Sequence, residues 1–132
     1  MKLTRRFTFE SGHHLPDYNG KCFFTHGHSF KLYVTISGKV DEKSGMVLDY
    51  KDLTTLVNEL IINKLDHSYL NDIIPNSTAE NLSKFIFNVL YIAFDKLDIL
   101  LTKIQIYETE NSCCEYTIYD YMTDNNKLIG MG

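Results

Sequence analysis

Four of the five histidines in this chain lie within sixteen consecutive residues near its start, and a cysteine lies among them. His26 and His28 are separated by one residue at the start of an alternating segment, so their side chains point to the same face of a predicted strand. Imidazole is the commonest metal ligand in proteins. His13 or His14, at the end of the neighbouring predicted strand, would supply a third ligand. Three neutral imidazoles with an open fourth position are typical of catalytic zinc, so the pattern predicts a zinc site.

Cys22, four residues before His26, allows two interpretations. As a fourth ligand it would close a tetrahedral and purely structural zinc site. As a thiol beside the ion, it would be favoured as thiolate by the positive field and could act as a base or nucleophile. Spacing alone does not separate the two. The other two cysteines, Cys113 and Cys114, are assigned to packing, with one of the pair facing inward.

Two further titratable positions could do chemistry. Asp66 and His67 come where a predicted helix ends, so His67 either benefits from the helix dipole or carries a proton steered by its neighbouring carboxylate. Glu108 shares an apolar strand face with Ile104 and Ile106, and a carboxylate there is rarely unpaired. It would bind a cationic or amidine-like group of a ligand, or else lie at a sheet edge.

The elements that must position these residues follow from hydrophobic periodicity. Helical spacing after Asp49 and a Ser77–Glu80 capping box predict two helices. The order β-β-α-α-β-β predicts an α+β fold, a four-stranded antiparallel sheet with two helices on one face. Closing a barrel between subunits would remove the free edges of that sheet. The predicted strands cover 2–10, 28–37, 104–108 and 114–119, and the first helix covers 49–65.

Composition narrows the function classes. The 132 residues are expected to form a single domain over 1–122, followed by a tail over 123–132. The net charge is −4, no basic run appears, and a nucleic-acid partner is not expected. No apolar stretch approaches eighteen residues, which argues against a membrane span. An unpaired cysteine set and an N-terminus without the apolar run of a signal peptide indicate a cytoplasmic protein.

Several stretches of the chain, taken in order, form one combined pattern. They are Phe7-Thr8-Phe9-Glu10-Ser11-Gly12-His13, Cys22 with His26-Gly27-His28-Ser29-Phe30, Gly45-Met46-Val47-Leu48-Asp49-Tyr50, Leu65-Asp66-His67-Ser68-Tyr69-Leu70-Asn71-Asp72, Ser77-Thr78-Ala79-Glu80-Asn81-Leu82 and Tyr107-Glu108-Thr109. Together they resemble the 6-pyruvoyl-tetrahydropterin synthase family, and within it the 6-carboxy-tetrahydropterin synthase branch that serves 7-deazaguanine (queuosine) biosynthesis. The resemblance covers residues 7 to 109 in the family's order. Two departures are His14, where the family commonly has Arg, and Ser112-Cys113-Cys114, where it often has Trp.

The resemblance implies the tunnelling fold, with trimers, usually stacked in pairs, that close a barrel and place active sites between subunits. It implies a role for each singled-out residue: zinc on His13, His26 and His28, Cys22 as the catalytic thiol, Asp66 and His67 as a proton relay, Glu108 as the anchor of the pterin's guanidine-like edge, and Thr78 in the lining of the pterin pocket.

The implied reaction converts 7,8-dihydroneopterin triphosphate, a small-molecule substrate, to 6-carboxy-5,6,7,8-tetrahydropterin with release of acetaldehyde and triphosphate. The alternatives are a pyruvoyl-forming synthase, which only eliminates triphosphate, and a non-catalytic zinc module whose site Cys22 closes.

Overall fold

The computed structural model describes residues 1–15 and 26–126, without the side chain of His26. Within these ranges the chain forms five strands and three helices. The first helix is continuous and consists of α1, a π-helical segment and α2, which are counted together as one. The elements are β1 (Lys2–His13), β2 (His26–Ser37), α1 (Tyr50–Val57), the π-helical segment (Asn58–Ile62), α2 (Asn63–Leu65), β3 (Ser68–Tyr69), a 3-10 turn (Leu70–Asp72), α3 (Ala79–Asp95), β4 (Leu100–Thr109), β5 (Ser112–Thr117) and α4 (Ile118–Asp124).

One open sheet holds all five strands in the order β3-β1-β2-β4-β5. The four predicted strands are present and pair antiparallel. The prediction of four strands is nevertheless wrong, because β3 adds a fifth, parallel to the end of β1 through Ser11–Ser68 and Gly12–Tyr69. Two residues are too few to show the alternation that identifies a strand, and only their position beside β1 makes them one.

The helix ends also differ in detail from the prediction. The N-cap of α3 is Thr78 and not Ser77, since the Thr78 hydroxyl accepts the backbone N–H of Asn81 at 3.1 Å. Strand β5 ends at Thr117, whose hydroxyl and Asp120 form a capping box that starts α4. This helix replaces the end of the predicted last strand and crosses the expected boundary between 122 and 123.

The core lies between one face of the sheet and the helices. In β1, Phe7, Phe9, Ser11 and His13 alternate as buried positions, while the intervening side chains are exposed or half-buried. The phenylalanines join a cluster with buried residues of β2, β4 and the helices. Because His13 continues the same row beyond Phe9, it lies at the end of the core, beneath the start of α3.

The opposite sheet face carries polar residues, and β3 and β5 are the two edges of the sheet within the chain. Unpaired sheet edges are sites where strands of another chain can add. Barrel closure between subunits would use these two edges and stays a prediction.

None of the helices in the part of the chain that the structure describes has the length and apolar character needed to span a membrane.

Candidate metal and pterin site

Three adjacent strands bring His13, His28 and Glu108 together at one end of the inner sheet face. One ligand atom from each lies within 4.8 Å of the other two. The rings of His13 and His28 are 5.2 Å apart and meet edge-on, and Nε2 of His13 lies 4.0 Å from Oε1 of Glu108. Phe30, which is fully buried, packs against both rings. Imidazole nitrogens and a carboxylate oxygen are suitable ligands for zinc, so the donor set fits that ion.

The orientation of the His13 ring is fixed from behind. His13 is 2% exposed, and its Nδ1 lies 2.8 Å from the carbonyl oxygen of Ser77. Since a carbonyl oxygen only accepts, Nδ1 carries the proton and Nε2 carries the lone pair on the side of His28 and Glu108. A backbone carbonyl that holds the remote ring nitrogen is typical of metal-binding histidines.

Two members of the predicted set cannot be placed with these residues. The backbone of His26 lies in β2 directly opposite His13; its side chain, like the whole of Cys22, lies outside the described residues. Glu108 joins the two described histidines as a third donor that the predicted ligand set did not include. Its place on the apolar face beside Ile106 was the only signal in the sequence.

His14, the alternative to His13, takes no part in the cluster. As the next residue along, it projects away from His13, and its Nδ1 is hydrogen-bonded to the hydroxyl of Tyr69. The two rings are stacked with centroids 5.8 Å apart. Alternation along the chain thus separates the two histidines, and His13 is the one directed toward His28.

Asp66 and His67, which lie between α2 and β3, are both hydrogen-bonded to the backbone of Glu10 in β1. Oδ1 of Asp66 accepts the N–H of Glu10 at 2.8 Å, and the N–H of His67 donates to the carbonyl oxygen of Glu10 at 2.5 Å. The other Asp66 oxygen is 3.7 Å from Nε2 of His67, whose side chain is 81% exposed. His67 has a φ of 53°, a value uncommon outside glycine, and strain of this kind is concentrated at functional sites. Both His67 and His28 contribute to the lining of a cavity of about 430 Å³.

A second cavity, of about 490 Å³, is lined by Glu108 and by the first residues of α3, Ala79 and Glu80. Glu108 is 27% exposed and so faces both this space and the histidines. The hydroxyl of Thr78 caps α3 immediately beside it. Ser112, Cys113, Cys114 and Glu115 complete the lining.

The two cysteines of β5 correct an expectation. Cys113 is exposed and Cys114 is half-buried, so neither is the buried packing residue that the sequence predicted. The reason is that β5 is an edge strand, and α3 covers less of an edge strand than of an interior one.

A sequence model of the family described as "6-pyruvoyl tetrahydropterin synthase" matches residues 2–118. The chain belongs to the 6-pyruvoyl tetrahydropterin synthase family. It is 33% identical to a "6-carboxy-5,6,7,8-tetrahydropterin synthase" of Haemophilus influenzae, with 88% of this chain and 98% of the relative covered. It is 36% identical to a "6-pyruvoyl tetrahydrobiopterin synthase" of Dictyostelium discoideum, with 86% and 93% covered.

The structural comparison agrees with the family assignment. The solved structure of the Caenorhabditis elegans 6-pyruvoyl tetrahydropterin synthase matches with a TM-score of 0.79 and 27% identity, covering 89% of this chain and 94% of that one. The chain is therefore a 6-carboxy-tetrahydropterin synthase-like enzyme, which confirms the family predicted from its motifs. The alternative of a non-catalytic zinc module loses its support.

Proposed function

We propose that this enzyme converts 7,8-dihydroneopterin triphosphate to 6-carboxy-5,6,7,8-tetrahydropterin, acetaldehyde and triphosphate, a step of 7-deazaguanine (queuosine) biosynthesis in the cytoplasm. The observation that carries the proposal is the convergence of His13, His28 and Glu108 beside a cavity able to hold a small molecule. The relative with the carboxy-forming name, aligned over nearly its whole length, supports this choice of product.

His13, His26 and His28 are the proposed zinc ligands. When bound, zinc would supply a Lewis acid for oxygens of the substrate side chain. Glu108 is proposed as the anchor of the pterin. Its two carboxylate oxygens can accept two N–H groups from the guanidine-like edge of the ring, and such charge-assisted hydrogen bonds are the strong ones. Thr78 would hold the start of α3 against the same pocket.

Proton transfer is assigned to Cys22 on one side of the substrate and to Asp66 with His67 on the other. Cys22 as thiolate would remove protons from the side chain of the substrate. His67 would donate protons on the other side of the substrate, with the Asp66 carboxylate orienting its ring. The hydrogen bond from the Glu10 N–H holds one Asp66 oxygen, which keeps the other toward His67. One water molecule supplies the second oxygen of the carboxylate, and the ring gains the two hydrogens that the substrate side chain loses, so no external oxidant or reductant is required.

The second candidate is the pyruvoyl-forming reaction, which eliminates triphosphate and keeps the side-chain carbons. It is favoured by the Dictyostelium relative, whose identity to this chain is slightly higher. Purified enzyme incubated with 7,8-dihydroneopterin triphosphate distinguishes the two. Acetaldehyde in amounts equal to triphosphate, together with a carboxylated pterin, is the expected result. A pyruvoyl pterin with triphosphate and no acetaldehyde would refute the carboxy-forming proposal.

Replacing the thiol of Cys22 tests whether this residue acts as a base or as a zinc ligand. Cys22→Ala should retain zinc and lose turnover by at least about 100-fold, because general acid–base groups contribute on that scale. Zinc content and turnover are measured on the same preparation, with the wild-type enzyme beside it. Loss of zinc in this variant would make the thiol a ligand and end its assignment as a base.

The assembly is proposed to be a homo-oligomer, a trimer or a dimer of trimers. The open edges β3 and β5 support this proposal, since each presents unpaired backbone groups that a neighbouring subunit could pair. Light scattering after size-exclusion chromatography gives the mass directly. A monomer at micromolar concentration would contradict it.

A further inference from the structure

Asn71, in the 3-10 turn after β3, uses every hydrogen-bonding position of its side-chain amide. Its Oδ1 accepts the backbone N–H of His14 at 2.9 Å and the hydroxyl of Ser77 at 3.0 Å. Its Nδ2 donates to the carbonyl oxygens of His14 and Pro75, both at 2.8 Å. An asparagine side chain has two donors and two acceptor lone pairs, so the amide is fully satisfied.

Two of the residues that Asn71 binds, His14 and Ser77, are direct neighbours of His13 in the chain or in space. His14 is the next residue in the chain, so fixing its N–H and its carbonyl fixes the backbone that follows His13. Ser77 supplies the carbonyl oxygen that accepts the Nδ1–H of His13. The amide therefore restrains the main chain of His13 from one side and the partner of its ring from the other.

The segment that carries the Ser77 carbonyl is held by individual hydrogen bonds, among them that of Asn81 to the carbonyl oxygen of Asn76. From Ile73 to Thr78 the chain forms no helix or strand, and the regular hydrogen bonds begin with α3. Ser77 is fully buried, yet its carbonyl precedes the first turn of that helix. A carbonyl in such a segment keeps its direction because hydrogen bonds to neighbouring groups hold the backbone. Asn71 makes two of these, to the hydroxyl of Ser77 and to the carbonyl oxygen of Pro75.

We propose that Asn71 is a positioning residue of the metal site, which sets the tautomer and the aim of the His13 ring through Ser77. This inference rests on the proposed function, in which His13 is a zinc ligand. Hydrogen-bond partners behind a metal ligand fix its ring orientation, and their removal typically weakens metal affinity by about 10- to 100-fold. Because Asn71 acts one step further back, we expect the lower end of that range.

The test is the affinity of the purified metal-free protein for Zn²⁺ alone, measured by competition with a chromophoric chelator. Asn71→Ala should bind Zn²⁺ about tenfold more weakly than the wild type. Ser77→Ala removes only the hydroxyl that Asn71 accepts and should weaken binding in the same direction by about threefold or more. Since both act along one path, the double variant should lose less than the product of the two single losses.

Asn81→Ala is the matched control. It removes a side-chain hydrogen bond of 2.9 Å to the carbonyl of Asn76 in the same segment, without touching His14 or Ser77. Its Zn²⁺ affinity should stay within about twofold of the wild type. Nitrogen chemical shifts of the His13 ring in metal-free protein give a second measurement: the proton should sit on Nδ1 in the wild type and be shared with Nε2 in Asn71→Ala.

The outcomes separate this inference from the proposed function. A wild type that fails to bind Zn²⁺ would overturn both. Tight binding by the wild type with equal affinity in Asn71→Ala and Ser77→Ala would overturn the positioning role alone, even if the variants are less stable to heat. If Asn71→Ala does not fold, Ser77→Ala decides: an unchanged affinity there refutes the inference, and a weakened affinity with the control intact supports it.

Discussion

Replacing Glu108 by Gln tests the assignment on which the substrate pocket depends. The substitution keeps the length and volume of the side chain and removes its negative charge. Glu108 lies 4.0 Å from Nε2 of His13 on one side and lines the cavity beside α3 on the other. Its carboxylate could therefore serve as a pterin anchor or as a metal ligand, and the two roles predict different losses.

The size of the loss follows from the bonds that the anchor would make. A hydrogen bond to a charged group contributes about 1.5–3 kcal/mol. Glutamine keeps one acceptor oxygen but turns an NH₂ group toward a donor edge, so at least one such bond is lost. Because the Glu108 side chain is partly open to solvent, we expect the lower half of that range, a rise of about 10- to 40-fold in the dissociation constant of the pterin.

The assay is calorimetric titration with 7,8-dihydroneopterin, which lacks the triphosphate, together with Zn²⁺ affinity measured by chelator competition. Glu110→Gln, an exposed carboxylate in the turn after β4, is the control and should change neither quantity by more than about twofold. The reasoning is refuted if Glu108→Gln binds the pterin as the wild type does. A tenfold weaker Zn²⁺ affinity with pterin binding intact would assign Glu108 to the metal.

Three further predictions concern other parts of the chain. Asp66→Asn keeps an acceptor for the Glu10 N–H but removes the charge beside the relay histidine, so turnover should fall by about 100-fold with circular dichroism unchanged; wild-type turnover would contradict the relay. Thr78→Ala should lower the free energy of unfolding in urea by about 1 kcal/mol through loss of the α3 cap, and Ser at this position should restore it. Burial, then the hydrogen bond to Asp124 and its charge, raise the pKa of Tyr116 above its ordinary value near 10. The raised pKa means that protonated Tyr116 stabilises the folded state fully below about pH 10, and that this contribution is lost as the pH rises beyond it. The free energy of unfolding of Tyr116→Phe should therefore depend less on pH above about pH 10, and an unaltered pH dependence would refute this.

Local periodicity was enough to predict most of the architecture. Alternation identified β1, β2 and β4, and helical spacing identified the two long helices, because burial of one face imposes those periods on any sequence. The period of two also placed His28 on the same face as Phe30. It failed for β3, where two residues carry no period, and for β5, whose last predicted residues start α4.

Choices between adjacent residues needed the folded chain. Ser77 and Thr78 are both good N-cap residues, and the prediction of Ser77 was wrong because the backbone of Asn81 comes within reach of the Thr78 hydroxyl only. His13 and His14 are equally able to bind metal by chemistry. Strand alternation and the pairing of Tyr69 with His14 separate them in space.

The sequence by itself determined the family, the α+β class and the kinds of side chain available for chemistry, since these depend on residue type and on spacing over a few positions. Only the tertiary structure decided that Glu108 lies beside His13, that Asp66 is held by β1, and that Asn71 connects Ser77 to the backbone next to His13. These contacts join residues that are far apart in the chain. Strand register and helix packing set their distances, and no local pattern records them.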